Sequence, residues 1–386
     1  MSRTLQGALL AVAVLVGNAA HVVAHLGALH RPRAVLETDH RVYIQMARQP
    51  PWEAQVDPPF RWRLLTPWLV HLATRAGLGV NPAFYLLTNL SLFGFLVLLH
   101  GLLGRLGFSS REAALGLALV GLLQGAVRWY EYQYWMTDPL CLLLVTAAFM
   151  LVRQGRLGWL AALSVVGVIA RETYLLVLPY HLLHEWRRRP PLRALGRAAS
   201  VSLPALLVLG WIRYGLLPHP GVGLIDTMRE VLGFRWRHLL DNQIYFATLG
   251  SFGVLLPLAL LDPSRLLSGF RERYDEAAVL ALAYASLSLA NNTDRLLAYA
   301  LPVLLPLALR GLREGAARAA IPWTLAASVA LGLQVLFFMQ TRFHGEMGLS
   351  IYQPTNWVVV VSMLGFWLAF EWRISVERRS RAIMIY

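Results

Sequence analysis

Residues 157–186 read LGWLAALSVVGVIARETYLLVLPYHLLHEW, thirty positions whose long apolar run is interrupted at its middle by Arg171-Glu172. A membrane-crossing helix needs about 20 residues, so this stretch is too long for one ordinary span. Two adjacent charges at mid-membrane depth would also be costly. Two short helices meeting at Arg171-Glu172-Thr173 fit better, with the junction in a water-filled cavity where interrupted backbone can be solvated. The same design recurs at 277–309, where Asn291-Asn292-Thr293-Asp294-Arg295 breaks an apolar run. The two interruptions predict an all-α, polytopic transmembrane helical bundle that contains short broken helices.

Outward from these runs, further spans are expected at 5–29, 82–103, 111–128, 137–152, 198–214, 244–261, 319–340 and 354–372, about twelve membrane segments in all. Composition agrees: 57% of the 386 residues are hydrophobic and only 15% charged, well off the balance of a soluble domain. The close spacing of apolar stretches argues for a single transmembrane domain over 1–386. The first span lacks an obvious small-residue cleavage site and is not expected to be a signal peptide. Between the first two spans lies a first outer loop, 30–81, rich in proline and acids. Within it, Phe60 to Leu78 reads as an interfacial or partly inserted helix, because Arg61, Arg63, His71 and Arg75 interrupt its apolar character.

The formal charge is +14, and all 35 basic residues are arginine. Most lie in short loops between apolar stretches, which points to membrane topology and not to nucleic acid. Segments 1–4, 104–111, 153–156, 187–197, 262–276, 310–318 and 373–386 are assigned to one side. With the edge acids Glu112, Glu185 and Glu371 they hold 20 arginines against nine acids, whereas the other side holds 14 against 12. The basic side of a bacterial inner-membrane protein faces the cytoplasm. Both termini are therefore expected there, with the polar motifs on the outer face. The single cysteine, Cys141, excludes an internal disulfide and zinc-finger patterns. No GxGxxG, GKS/GKT or GxSxG occurs, so dinucleotide, ATP-driven and serine-hydrolase chemistry lack support.

The outer face collects candidate catalytic acids Glu37, Asp39, Asp138 and Glu172. Asp39 begins Asp39-His40-Arg41-Val42-Tyr43-Ile44-Gln45-Met46, whose spacing suggests a short amphipathic helix on the bundle. It is either the N-cap of that helix or a base, and the two roles are compatible. Glu131 and Asp138 flank Trp129-Tyr130-Glu131-Tyr132-Gln133-Tyr134-Trp135, either membrane-interface anchors or a stacking platform for a sugar ring. Asp138-Pro139 also fits a helix start. Arg171-Glu172 and Asp294-Arg295 read either as local ion pairs that hold broken helices or as arginines offered to a phosphate. His21 and His25 share a helical face, which suits packing better than metal ligation.

The segments Thr38 to Ala47 and Phe60-Arg61-Trp62-Arg63-Leu64-Leu65-Thr66-Pro67 resemble the C-type, polyprenyl-phosphate-dependent membrane glycosyltransferases, in particular relatives of the GPI mannosyltransferases. The resemblance implies a helical bundle with a site open to the non-cytoplasmic side. It further implies a polyprenyl-phosphate-linked sugar donor drawn from the membrane lipid and a first-loop acid that acts as base or places a divalent cation. On this basis Asp39 is the expected base. Arg171 and Arg295 are expected to meet the donor phosphate, with Arg128, His40 and Asp294 as further contacts. The chain departs from the family's paired acidic motif: His40 follows Asp39, and Glu37 precedes it by two residues. A secondary transporter with its site at the broken helices, or a lipid-binding scaffold without a reaction, are the other readings of the same features.

Overall fold

The computed structural model describes residues 2–26, 38–57, 59–216, 224–237, 250–261, 263–288, 293–340, 342–344 and 348–350, with scattered positions between 361 and 376. The fold is all-α apart from one pair of three-residue antiparallel strands. The helices are α1 (Arg3–Leu26), α2 (Thr38–Arg48), α3 (Leu65–Arg75), α4 (Val80–Arg105), α5 (Ser110–Gly121), α6 (Trp129–Tyr132), α7 (Asp138–Gln154), α8 (Leu157–Ala170) and α9 (Val177–Arg188). They continue as α10 (Pro191–Gly210), α11 (Leu224–Arg237), α12 (Leu255–Ala259), α13 (Pro263–Glu272), α14 (Tyr274–Ala285), α15 (Thr293–Ala298), α16 (Leu301–Arg318) and α17 (Trp323–Gln340). The strands are β1 (Arg342–His344) and β2 (Gly348–Ser350).

Among the described residues three helical stretches are long and apolar enough to cross a membrane, Arg3–Ala24, Val80–Arg105 and Pro191–Leu216. A fourth arises if Ser110–Gly121 and Gly125–Tyr132, bent by 70°, form one span. That is fewer than the twelve expected from apolar runs. The runs at 157–186 and 277–309 are divided among short helices, and α8 has only 14 residues. An apolar helix of that length is equally at home inside a bundle. The expected spans at 244–261 and 354–372 fall partly outside the described residues.

The first predicted interruption is present in the backbone; of the second, Asn291 and Asn292 lie outside the described residues, and Thr293, Asp294 and Arg295 are helical. α8 stops at Ala170, Arg171 is extended, and a 3-10 turn over Glu172–Leu176 leads into α9. The interruption is packed as well as bent: a Cβ at Gly167 would fall on the ring of Tyr174, which lies buried against that helix. In the second run α14 ends at Ala285, and α15 restarts at Thr293.

Helix direction sorts the charged residues into two layers. α7 starts at Asp138 and carries Arg153 near its far end, roughly 22 Å away at 1.5 Å per residue. α8 returns to Arg171, which meets Asp138 again. At the far end Arg153 pairs with Glu276 (2.6 Å), Asp275 with His184 (2.8 Å) and Arg187 (3.4 Å), and Glu185 with Arg189 (2.8 Å) and Arg197 (2.7 Å). Burial alone would raise the Asp275 carboxyl, but the His184 hydrogen bond and the Arg187 charge hold it below the ordinary carboxylate value. Glu112 caps its own helix together with Ser109 and reaches Arg313 (3.5 Å). Phe108 lies beneath the guanidinium groups of Arg310 and Arg313. Arg3 lies against Gly104, and Arg373 donates to the Ala319 carbonyl (3.4 Å). Each arginine-rich segment assigned to one side by charge thus has a described residue in this linked layer.

Candidate functional site

The opposite layer is built around Asp138, at the first turn of α7. Thr137 occupies the cap position and Pro139 the second helical position. The helix start read from Asp138-Pro139 is thus present, with Asp138 in the first turn and not at the cap, its carboxylate committed elsewhere. Oδ2 accepts from Arg171 Nη1 and Arg295 Nη2, both at 2.7 Å, and Oδ1 accepts from Tyr299 OH at 3.2 Å. Arg171 Nη1 also donates to Thr137 Oγ1 (3.1 Å), and its Nε to Thr173 Oγ1 (3.2 Å). The Asp138 side chain is wholly buried, and the two arginines nearly so.

A second pair abuts this one in sequence. Glu172 binds Arg63 through both carboxylate oxygens, and Arg63 Nη1 donates to Tyr43 OH at 2.9 Å. The Glu172 side chain keeps 28% of its surface exposed, which sets it apart from Asp138. The two adjacent residues therefore pair away from each other, Arg171 with α7 and Glu172 with the segment before α3. This corrects the expectation of a local Arg171-Glu172 ion pair. Likewise Arg295 crosses to α7; the side chain of Asp294 lies outside the described residues.

α2 closes over this layer. His40, Tyr43, Met46 and Ala47 are its buried face, an i, i+3, i+6, i+7 pattern, while Val42 is half-buried. The His40 ring sits 5.2 Å from that of Trp135. Asp39 stands in the first turn of α2, one helical turn before Tyr43, and the helix already begins at Thr38. It is thus a first-turn residue and not the residue before the helix. The side chain of Asp39, and Glu37 as a whole, lie outside the described residues.

The aromatic run turns inward. Tyr130, Tyr132, Tyr134 and Trp135 are all buried, so neither interface anchoring nor an exposed platform describes them. Trp135 Nε1 donates to Asn81 Oδ1 (3.0 Å), Tyr134 and Trp135 rings lie 3.9 Å apart, and Tyr85 donates to the buried Glu131 (3.1 Å). These bonds give Trp135 Nε1 and one Glu131 oxygen the partners that burial requires. Arg128 is fully buried on other contacts: Nη1 donates to the Phe338 carbonyl (2.6 Å), Nη2 lies 2.7 Å from His21 Nε2, and the guanidinium covers the Phe338 ring. It links α1, α17 and the turn before α6, apart from the Asp138 contacts.

Three guanidinium groups (Arg63, Arg171, Arg295) pair with the carboxylates of Asp138 and Glu172 in one cluster. Buried charges are tolerated only when paired and hydrogen-bonded, and this cluster meets that condition. Such a centre can receive an anion, for which arginine's fixed donor fork is well shaped. Asp138, accepting from two guanidinium groups and a phenol, holds the two arginines together. Among the described residues no three His, Cys, Asp or Glu side chains lie together as metal ligands. Arg63, Tyr43 and Tyr299 were not singled out by the sequence as site residues. Arg63 and Tyr43 lie inside the two segments that carry the family resemblance, and Tyr299 follows Arg295 by one helical turn. No family model, curated protein or solved structure matches the chain.

Proposed function

We propose that this chain is an inner-membrane transferase that moves a sugar from a polyprenyl-phosphate donor to an acceptor hydroxyl at the end of the bundle that carries Asp138. That end faces away from the cytoplasm, and both termini lie on the cytoplasmic side. The observation that carries the reading is the convergence of Arg63, Arg171 and Arg295, from three separated parts of the chain, on the carboxylates of Asp138 and Glu172. A polyprenyl-phosphate sugar is a phosphodiester with one negative charge. As its glycosidic bond breaks, the departing monoester takes on a second, and a preorganised cationic centre favours that change.

In the proposed reaction the acceptor oxygen forms its bond to the anomeric carbon as the bond from that carbon to the phosphate oxygen breaks. The phosphate leaves with the electron pair, held by Arg171 and Arg295. The hydroxyl proton passes to Asp39, the base that the family resemblance implies. A single displacement inverts the anomeric centre. Arg63 and Tyr43 steady Glu172 beside the centre, while His40 secures α2 against Trp135. A divalent cation remains a proposed further participant through the acids Glu37 and Asp39, and no step above is routed through it.

The test is release of polyprenyl monophosphate, measured by mass spectrometry, from full-length protein in nanodiscs given mannosyl, glucosyl or arabinosyl donors with acceptor extracts. Protein-dependent release is expected with one donor, falling at least about 100-fold in Asp39→Asn. Full activity of a well-folded Asp39→Asn protein would remove Asp39 from the mechanism. A second reading has one observation in its favour: both interrupted segments send an arginine to the same buried carboxylate, as in transporters that bind solutes at broken helices. No release with any donor, together with protein-dependent anion flux in proteoliposomes, would replace transfer with transport.

A further inference from the structure

A different cleft opens at the other end of the bundle, between α13 and the second half of α16, with a volume of about 380 Å³. That lies within the roughly 300–1,000 Å³ usual for small-ligand pockets. Arg273, Arg310 and Arg318 line it together with Glu272 and Glu314. Leu266 and Leu307 form an apolar wall beside them. Gly269 and Gly311 border the space without side chains of their own, and the Arg273 guanidinium lies 3.4 Å from where a Gly269 Cβ would stand.

The largest electrostatic influences on Arg310 are the cations Arg273, Arg153 and Arg313 and the carboxylate Glu276, with Glu272 and Glu314 also on the cleft lining. Glu276 is already shared by Arg153 (2.6 Å) and Arg273 (3.3 Å), and Glu112 is engaged by Arg313 (3.5 Å). Burial first, and then repulsion from Arg273, lower the Arg310 pKa from its ordinary value. An anion in the cleft would relieve that repulsion, and its oxygens would meet planar donors suited to phosphate.

We propose that this cleft binds a phosphate monoester, its oxygens held by Arg310, Arg273 and Arg318 and its ester group lying along Leu266 and Leu307. The cleft is separate from the Asp138 layer, and the proposal stands whether or not the transfer reaction does. A lipid headgroup and a soluble phosphate share this chemistry.

Two binding arms separate the sources, both with full-length protein. In phosphatidylcholine nanodiscs, equilibrium binding of labelled inorganic phosphate is measured. In nanodiscs that also contain phosphatidic acid, the lipid retained per protein is counted by native mass spectrometry. Saturable binding in the first arm identifies a soluble phosphate; retention in the second arm alone identifies a lipid. In either case Arg310→Gln is expected to weaken binding at least about tenfold, the loss of one charge-assisted contact. Glu314→Gln, which removes a negative charge from the lining, is expected to tighten it, and this arm holds even if Arg310→Gln does not fold. Absence of saturable binding in both arms overturns the proposal, as does binding unchanged by the substitutions that fold.

Discussion

Asp138 shows how burial decides what a carboxylate does. The residue looks catalytic among the outer-face acids, yet it binds two guanidinium groups and a phenol inside the protein. Replacing it with alanine leaves Arg171 and Arg295 in a buried site without their shared counter-ion, a loss that typically costs about 3–5 kcal/mol. Asp138→Ala is therefore expected to lose its monodisperse peak in detergent size-exclusion and to melt well below the parent. Glu172→Gln should melt below the parent but above Asp138→Ala, since it leaves one buried arginine, Arg63, without its counter-ion while the amide keeps a hydrogen-bond acceptor and the Glu172 side chain is 28% exposed. Equal melting temperatures for the two variants would contradict the structural role given to Asp138.

At the scale of elements, close approach of backbones is the recurrent device. α12 packs on α16, and a Cβ at Gly311 would fall on the Leu258 carbonyl oxygen. The obstacle is backbone and not a side-chain tip, so it cannot swing aside. Gly311→Ala is expected to destabilise by about 1–3 kcal/mol, read as a lowered melting temperature. Gly158→Ala places its methyl group in open space and should leave the melting temperature unchanged or raise it. A silent Gly311→Ala would mean that α12 and α16 stand further apart than this packing requires. The neighbouring contact is polar: the buried Gln334 on α17 accepts from Val254 N (2.9 Å) and donates to the Leu122 carbonyl (3.2 Å). It satisfies backbone groups at two interruptions, where a helix cannot supply partners itself.

For the molecule as a whole, two ionic layers bracket an apolar interior. Their separation along α7, roughly 22 Å at 1.5 Å per residue, is a little less than the roughly 30 Å hydrocarbon thickness of a bilayer. If the Asp138 end faces outward, opposite ends must react from opposite sides of the membrane. Trp52→Cys, exposed in the segment before α3, should label with an impermeant maleimide in intact cells, and Leu192→Cys, exposed at the start of α10, only after permeabilisation. Cys141 is buried and provides the unlabelled background. The reverse pattern would invert the orientation and move the proposed reaction to the cytoplasmic face.

Apolar content, the two charged interruptions and the segregation of arginine already point to an all-α chain with long apolar helices of a length that suits a membrane and with two polar ends. Those features are local: they depend on hydrophobicity and on the cost of charge within a few turns of a helix. Pairing is not local. Nothing in Arg171-Glu172 reveals that one residue turns to α7 and the other to Arg63, because partners over a hundred positions apart, such as Arg63 and Glu172, meet only once the helices pack. The aromatic run 129–135 has the composition of an interface belt, yet residues 130–135 are buried, with Trp135 and Glu131 bonded to the half-buried Asn81 and Tyr85. Sequence determined where the chain is polar; tertiary packing alone decided which charges pair with one another, since electrostatic pairing is a property of neighbours in space.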